Sequence, residues 1–164
     1  MAIQSSRDLF IQELSGCYDS QKKTAEWKGQ LVNQIRDTNL QQLIRTEQQQ
    51  GQQMVRNMES CFEALGAQPQ GVRCLATDGM LTEYQKFMGQ NPPPDTADMA
   101  TVNLMVKAGN YERGCYTNLV DMAMTMGETR CAQLLQTNLV MMDESKGRVE
   151  RASHDMRQRV MATA

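Results

Sequence analysis

The sequence predicts an all-α protein built as an antiparallel four-helix bundle, and three observations carry that prediction. Apolar residues recur every three or four positions over long stretches, the repeat of helices with one buried face. Aromatic residues make up 5% of the chain while methionine occurs fourteen times, which suits helices packed with aliphatic and thioether side chains rather than strands. Turn-forming glycine and proline cluster where that repeat stops, which leaves four long segments and one short one.

The first helix is predicted over 6–36, with Phe10, Leu14, Cys17, Ala25, Leu31 or Val32, and Ile35 on its buried face. Ser6 is placed as its N-cap and Asp8 in its first turn, where the helix dipole favours an acid. The run Asp37-Thr38-Asn39 breaks the chain. Thr38 is expected to cap a second helix over 38–65, which carries Leu40, Leu43 or Ile44, Met54, Met58, Cys61 and Leu65 and ends at Gly66 as C′ residue. Residues 66–96 are less regular, with a short helix near 72–88 followed by Gly89-Gln-Asn-Pro-Pro-Pro.

A third helix over 96–126 carries Val102, Met105, Ala108, Cys115, Leu119 and Ala123 and stops at Gly127. The fourth, 128–161, carries Cys131, Leu134 or Leu135, Asn138, Met142, Ser145, Val149, Ala152, Met156 and Val160. Two hairpins joined by one long crossover make the ferritin-like connection, which differs from a simple up-down-up-down bundle. A chain of 164 residues and 18.5 kDa falls in the range of one domain.

Charged residues at 22% with a net charge of −2 give neither a nucleic-acid footprint nor a polybasic membrane patch. The apolar runs are short and broken by Gln, Glu and Lys, and Met-Ala-Ile-Gln-Ser-Ser-Arg-Asp has no leader-like apolar core. A cytoplasmic protein without membrane association is expected. Five cysteines at no metal-finger spacing are expected to be mostly reduced core thiols. Cys17 and Cys61 lie on facing stripes near one level, a pair that oxidation could join.

Polar residues that interrupt the buried stripes carry the functional information, because a polar group in a bundle core costs about 1–3 kcal/mol unless it is paired. They are Gln21 in the first helix, Glu47 and Gln50 in the second, Glu112 in the third and Ser145 beside Met142 in the fourth. Counting outward from the Gly127-Glu128 turn sets Glu112 level with Asp143, and counting from Asp37-Thr38 sets Gln21 within a turn of Gln50. A mid-bundle polar layer is where such folds place a cofactor.

A di-iron or di-manganese centre here takes a Glu from each of two helices and Glu-x-x-His from each of the others. This chain has one histidine, His154, twelve positions after Met142 and so about 18 Å further along its helix. Glu47, Glu112 and Asp143 are the remaining candidate metal ligands. Two acids among amides suit a hydrogen-bonded plug, or one weakly held ion, better than a redox-active pair. Methionine at helical spacing reads as core filling, and Gln48 to Gln53 as a solvated helix face. Gly51 and Gly109, beside the layer, mark either close helix contact or a small ligand cavity. No phosphate loop, nucleophile elbow or paired catalytic acids occur.

The segment Asp8-Leu-Phe-Ile-Gln-Glu-Leu-Ser-Gly-Cys-Tyr-Asp-Ser-Gln-Lys resembles the first helix of the bacterial YciE/YciF family. Val-Arg-Asn-Met-Glu-Ser-Cys-Phe-Glu-Ala-Leu-Gly within residues 50–66 resembles its second, Asn110-Tyr-Glu-Arg-Gly-Cys-Tyr-Thr-Asn-Leu its third, and Leu134-Leu-Gln-Thr-Asn-Leu its fourth. The resemblance covers roughly residues 7–152. It implies a ferritin-like bundle, an association with stress responses, and a homodimer or higher homo-oligomer formed through apolar edges of the first two helices.

Against the family pattern, Gln21 stands where a ligand carboxylate is usual, and Glu47 and Gln50 where a His and a Glu are usual. Gly109 replaces the first acid of Glu-x-Tyr-Glu, leaving Glu112, and Met142-Asp143-Glu144 replaces Glu-Glu-Lys. Gln21, Gln50, Gly109, Met142 and Ser145 thus mark a vestigial layer. The expectation is a non-catalytic protein with no cofactor that acts by self-association or by binding a protein partner. The alternative is an oxidoreductase or metal-storage bundle holding iron or manganese on Glu47, Glu112 and Asp143.

Overall fold

Two helical hairpins lie side by side in the computed structural model, which describes residues 3–162. Helices α1 (Ser6–Leu31) and α2 (Thr38–Leu65) form the first, and α4 (Pro94–Thr125) and α5 (Thr129–Met161) the second. The crossover between them carries α3 (Leu75–Met88), which packs mainly on α4. α1 packs on α2 and α4, and α5 packs on α4 and α2, which is the ferritin-like arrangement expected from the sequence. Every neighbouring pair of the bundle runs antiparallel.

The helix ends follow local chemistry. Ser5, one residue before the expected cap, accepts a hydrogen bond from the Asp8 amide at 3.1 Å. Asp37 caps α2 in place of Thr38, its Oδ1 accepting from the Leu40 amide at 2.8 Å. α1 stops at Leu31, short of 36, yet Ile35 is buried among Leu31 and Leu40. The turn tucks an apolar side chain under itself at helical spacing, and that mimics another turn of helix. Pro94 opens α4 two residues before the expected start, in the first-turn position where its missing amide costs nothing. Gly66 closes α2 with φ +61°, a left-handed conformation that glycine adopts without strain.

The segment before α3 is extended, and α1 satisfies its backbone. The Gln70 amide donates to Ser15 Oγ at 3.0 Å and the Cys74 amide to Asp19 Oδ2 at 2.7 Å. These bonds delay the start of α3 to Leu75 instead of 72 and hold the crossover against the bundle.

The core divides in two. One half gathers Phe10, Leu14, Met58, Cys61, Leu119 and Leu135; the other gathers Trp27, Leu31, Ile44, Val102, Met105 and Val149. Tyr84 of α3 stacks edge-on against Trp27, ring centres 5.4 Å apart, and shares a 2.8 Å hydrogen bond with Thr101. Between the halves lies the polar layer. No helix among the described residues is long and apolar enough to cross a membrane.

Candidate functional site

The layer contains two buried carboxylates, and each is closed by protein groups of a different helix pair. Glu112 on α4 is 2% exposed and accepts from Thr24 Oγ1 at 2.7 Å and Ser20 Oγ at 3.2 Å, both on α1. Ser20 also shares a 2.6 Å hydrogen bond with Thr77, tying α3 to the layer. Burial pushes the Glu112 carboxyl above the usual carboxylate range, opposed by the charge of Lys28 and by the two hydroxyls.

Glu47 on α2 is 1% exposed and faces α5. One carboxylate oxygen accepts from Ser145 Oγ; the other accepts from Arg148, with Nε and a terminal nitrogen each 3.0 Å away. The same guanidinium donates to Gln50 Oε1 at 2.5 Å. Arg148 therefore reaches from a partly exposed position on α5 and brings a full positive charge to the buried acid.

Gln21 is completely buried on α1. Its Oε1 accepts from the Tyr116 hydroxyl at 2.8 Å, while its Nε2 has no hydrogen-bond partner among the described residues. Tyr116 also lies 3.3 Å from Met58 Sδ. Burial holds the Tyr116 phenol well above its ordinary pKa, so it stays a neutral donor.

The structure gathers Gln21, Glu47, Glu112 and Ser145 into the layer with Gln50 at its rim, and buries Met142 beside it. Asp143 is at the expected level but faces solvent, half exposed, where it accepts from Arg113 Nε at 2.5 Å. A step of one residue turns a helical side chain by about 100°, enough to move Asp143 from the seam to the surface. His154 is exposed and takes no part in the layer. Among the described residues, no three His, Cys, Asp or Glu side chains converge to form a metal-binding group.

The two glycines differ. A Cβ on Gly51 would lie 3.3 Å from Ala25 Cβ and 3.4 Å from Gln21 Nε2, so this glycine lets α2 approach α1 closely. Gly109 borders a void of about 20 Å³ with Met142 and Ser145, space for one water and no larger ligand. Among the described residues, large exposed apolar side chains include Leu9 on α1, none on α2, and Leu75, Tyr111, Met124, Val140 and Met161 on α3 to α5.

Sequence reasoning missed Arg148, Tyr116, Ser20 and Thr24. The signal for the last three was spacing: Tyr116 lies one turn after Glu112, and Ser20 and Thr24 flank Gln21 on the same face. Arg148 follows Ser145 by three positions but carried no mark that set it apart from a solvated charge.

The solved structure of the E. coli stress protein YciF superposes with a TM-score of 0.87 at 18% identity, over 94% of this chain and 98% of that one. YcfI from Rhodopseudomonas palustris gives 0.85 at 24% identity, over 90% and 94%. A Xanthomonas campestris protein gives 0.68 at 19% identity, over 94% and 98%. These likenesses establish the shared bundle fold. No curated protein matches the sequence. The family described as "Domain of unknown function (DUF892)" matches residues 5–159, and the chain, with its YciF-like helical bundle, belongs to that family.

Proposed function

We propose that this protein is a non-catalytic, stress-associated bundle that works by self-association or by holding a protein partner, with a polar plug where a di-metal centre would lie. The observation that carries this reading is the Arg148 guanidinium on Glu47 and Gln50, which supplies the positive charge a metal ion would otherwise bring to the buried acid.

The donor set does not fit a dinuclear carboxylate centre. Such a centre needs acids from all four helices with two histidines among them. Glu47 and Glu112 sit in separate hydrogen-bond networks, Asp143 pairs outside the layer with Arg113, and His154 is exposed. An iron or manganese site on the three acids would require Glu47 to leave Arg148 and Asp143 to turn inward, while Glu112 would have to ionise against its burial.

Self-association is supported by an open apolar groove of about 400 Å³ between α3 and α4, lined by Met80, Tyr84, Phe87, Met99 and Leu104. The kinship with the E. coli stress protein YciF supports the stress association. Sedimentation equilibrium of the wild type and of the Glu47→Gln/Glu112→Gln variant tests the reading. Reversible association unchanged by the double substitution is expected; its loss on replacing the two acids, or a wild type that neither self-associates nor retains any partner, would overturn it.

A further inference from the structure

The hydrogen bonds of the layer fix how α1 and α4 lie against each other, and that register aligns two cysteines. Ser20 bonds Glu112. Three residues back along α1 is Cys17 and three forward along α4 is Cys115, so an antiparallel pair brings the two sulfurs opposite each other. Cys17 lies in the buried core cluster against which Cys115 packs. Tyr111, one turn before Cys115, has its hydroxyl 3.2 Å from Cys74 Sγ on the crossover. Three cysteines and a phenol thus meet where α1, α4 and the start of α3 join.

Accessibility distinguishes them. Cys17 and Cys74 are buried at 2% and 6% exposure, whereas Cys115 is partly exposed. The same register logic pairs Cys61 with Cys131 between α2 and α5, with Cys61 Sγ 3.5 Å from the Cys131 carbonyl oxygen; both are sealed in the core at 0% and 1%. Cys61, which the sequence sets facing Cys17, has its Sγ directed to the backbone of α5.

We propose that Cys115 is a peroxide-modified thiol and Cys17 its resolving partner, so that oxidation staples α1 to α4. The Cys115 thiolate attacks one oxygen of a hydroperoxide and forms an S–O bond as the O–O bond breaks; for hydrogen peroxide the departing hydroxide takes up a proton as water. Cys17 sulfur then attacks the Cys115 sulfenic acid. The S–S bond forms, the S–O bond breaks, and the hydroxyl leaves with the Cys17 proton as a second water. The two thiols supply both electrons. Hydrogen bonding from Cys17 and Tyr111 lowers the Cys115 pKa below the ordinary thiol value, against desolvation and the nearby charges of Glu112 and Glu13, which favours the reactive thiolate.

The test treats the full chain with limiting hydrogen peroxide and maps peptides without reduction. A Cys17–Cys115 linkage within one chain is expected, with Cys61 and Cys131 remaining free. In Cys17→Ser the sulfenic acid should persist and be trapped at Cys115 by dimedone; in Cys115→Ser, loss of thiols should slow at least about tenfold. A first linkage through Cys74, a link between two chains, prior oxidation of Cys61 or Cys131, or no thiol loss would overturn the assignment. The wild-type peptide map alone decides it if either variant fails to fold.

Discussion

Replacing Arg148 by alanine strips the buried carboxylate of its counter-charge. Glu47 is 1% exposed, so after the substitution its ionised side chain keeps only the Ser145 hydroxyl in a site that excludes water. Removing one partner of a buried ion pair costs about 3–5 kcal/mol because the other charge is left uncompensated. The Arg148 side chain is 28% exposed, however, and the space it vacates opens toward solvent. That access lowers the expected cost to roughly 2–3 kcal/mol. For a chain of this size the corresponding fall in Tm is about 4–12 °C. Urea unfolding at one fixed protein concentration is the assay, since any self-association would otherwise shift the midpoint. Glu47→Gln/Arg148→Met, which removes both charges at once, should recover most of the loss, and the double-mutant cycle should show strong coupling. An Arg148→Ala cost below about 0.5 kcal/mol, or no coupling with Glu47, would refute the closed plug.

The other substitutions probe the remaining parts of the layer. Folding raises the Glu112 pKa above its ordinary value of 4.5, so its contribution to stability is fully present below that value and is lost as pH rises through the folded pKa. Glu112→Gln should therefore become more stable relative to the wild type as pH rises above 4.5, and a stability difference that ignores pH in urea titrations would contradict that assignment. Tyr116→Phe removes the donor to Gln21 Oε1 and leaves both ends of a buried amide unpaired, an expected cost of about 1–3 kcal/mol by the same assay. Gln21→Met should cost less than Tyr116→Phe, because it also removes the unpaired Nε2 while Tyr116 keeps Met58 Sδ; the reverse order would contradict the proposed hydrogen bonding.

The bundle was legible because burial imposes its period on the sequence. Phe10, Leu14 and Met58 repeat at helical spacing and meet in the core. The repeat also misled where a loop buries an apolar residue in phase, as Ile35 does, and it could not assign a cap between adjacent candidates, as at Ser5 and Ser6. In the layer, Gln21, Glu47, Glu112 and Ser145 announced themselves as polar interruptions of an apolar stripe. Asp143 lay one position from that stripe, and a one-residue rotation decided its exposure. Arg148 was hidden because a long side chain can be rooted near the surface and end in the interior, so the position of its Cα says little about where its charge lies. The cysteine pairs depended on the register between helices, which became readable only once the Ser20–Glu112 and Asn138–Met54 hydrogen bonds fixed it.

Elemental analysis after anaerobic titration of the purified protein with Fe(II) and then Mn(II) tests the closed layer most directly. With Arg148 already neutralising Glu47, and Glu112 closed by Ser20 and Thr24, no stoichiometric binding that depends on these acids is predicted. Two ions per chain, abolished by Glu47→Gln/Glu112→Gln, would contradict the plug and make a metal-dependent bundle the correct reading.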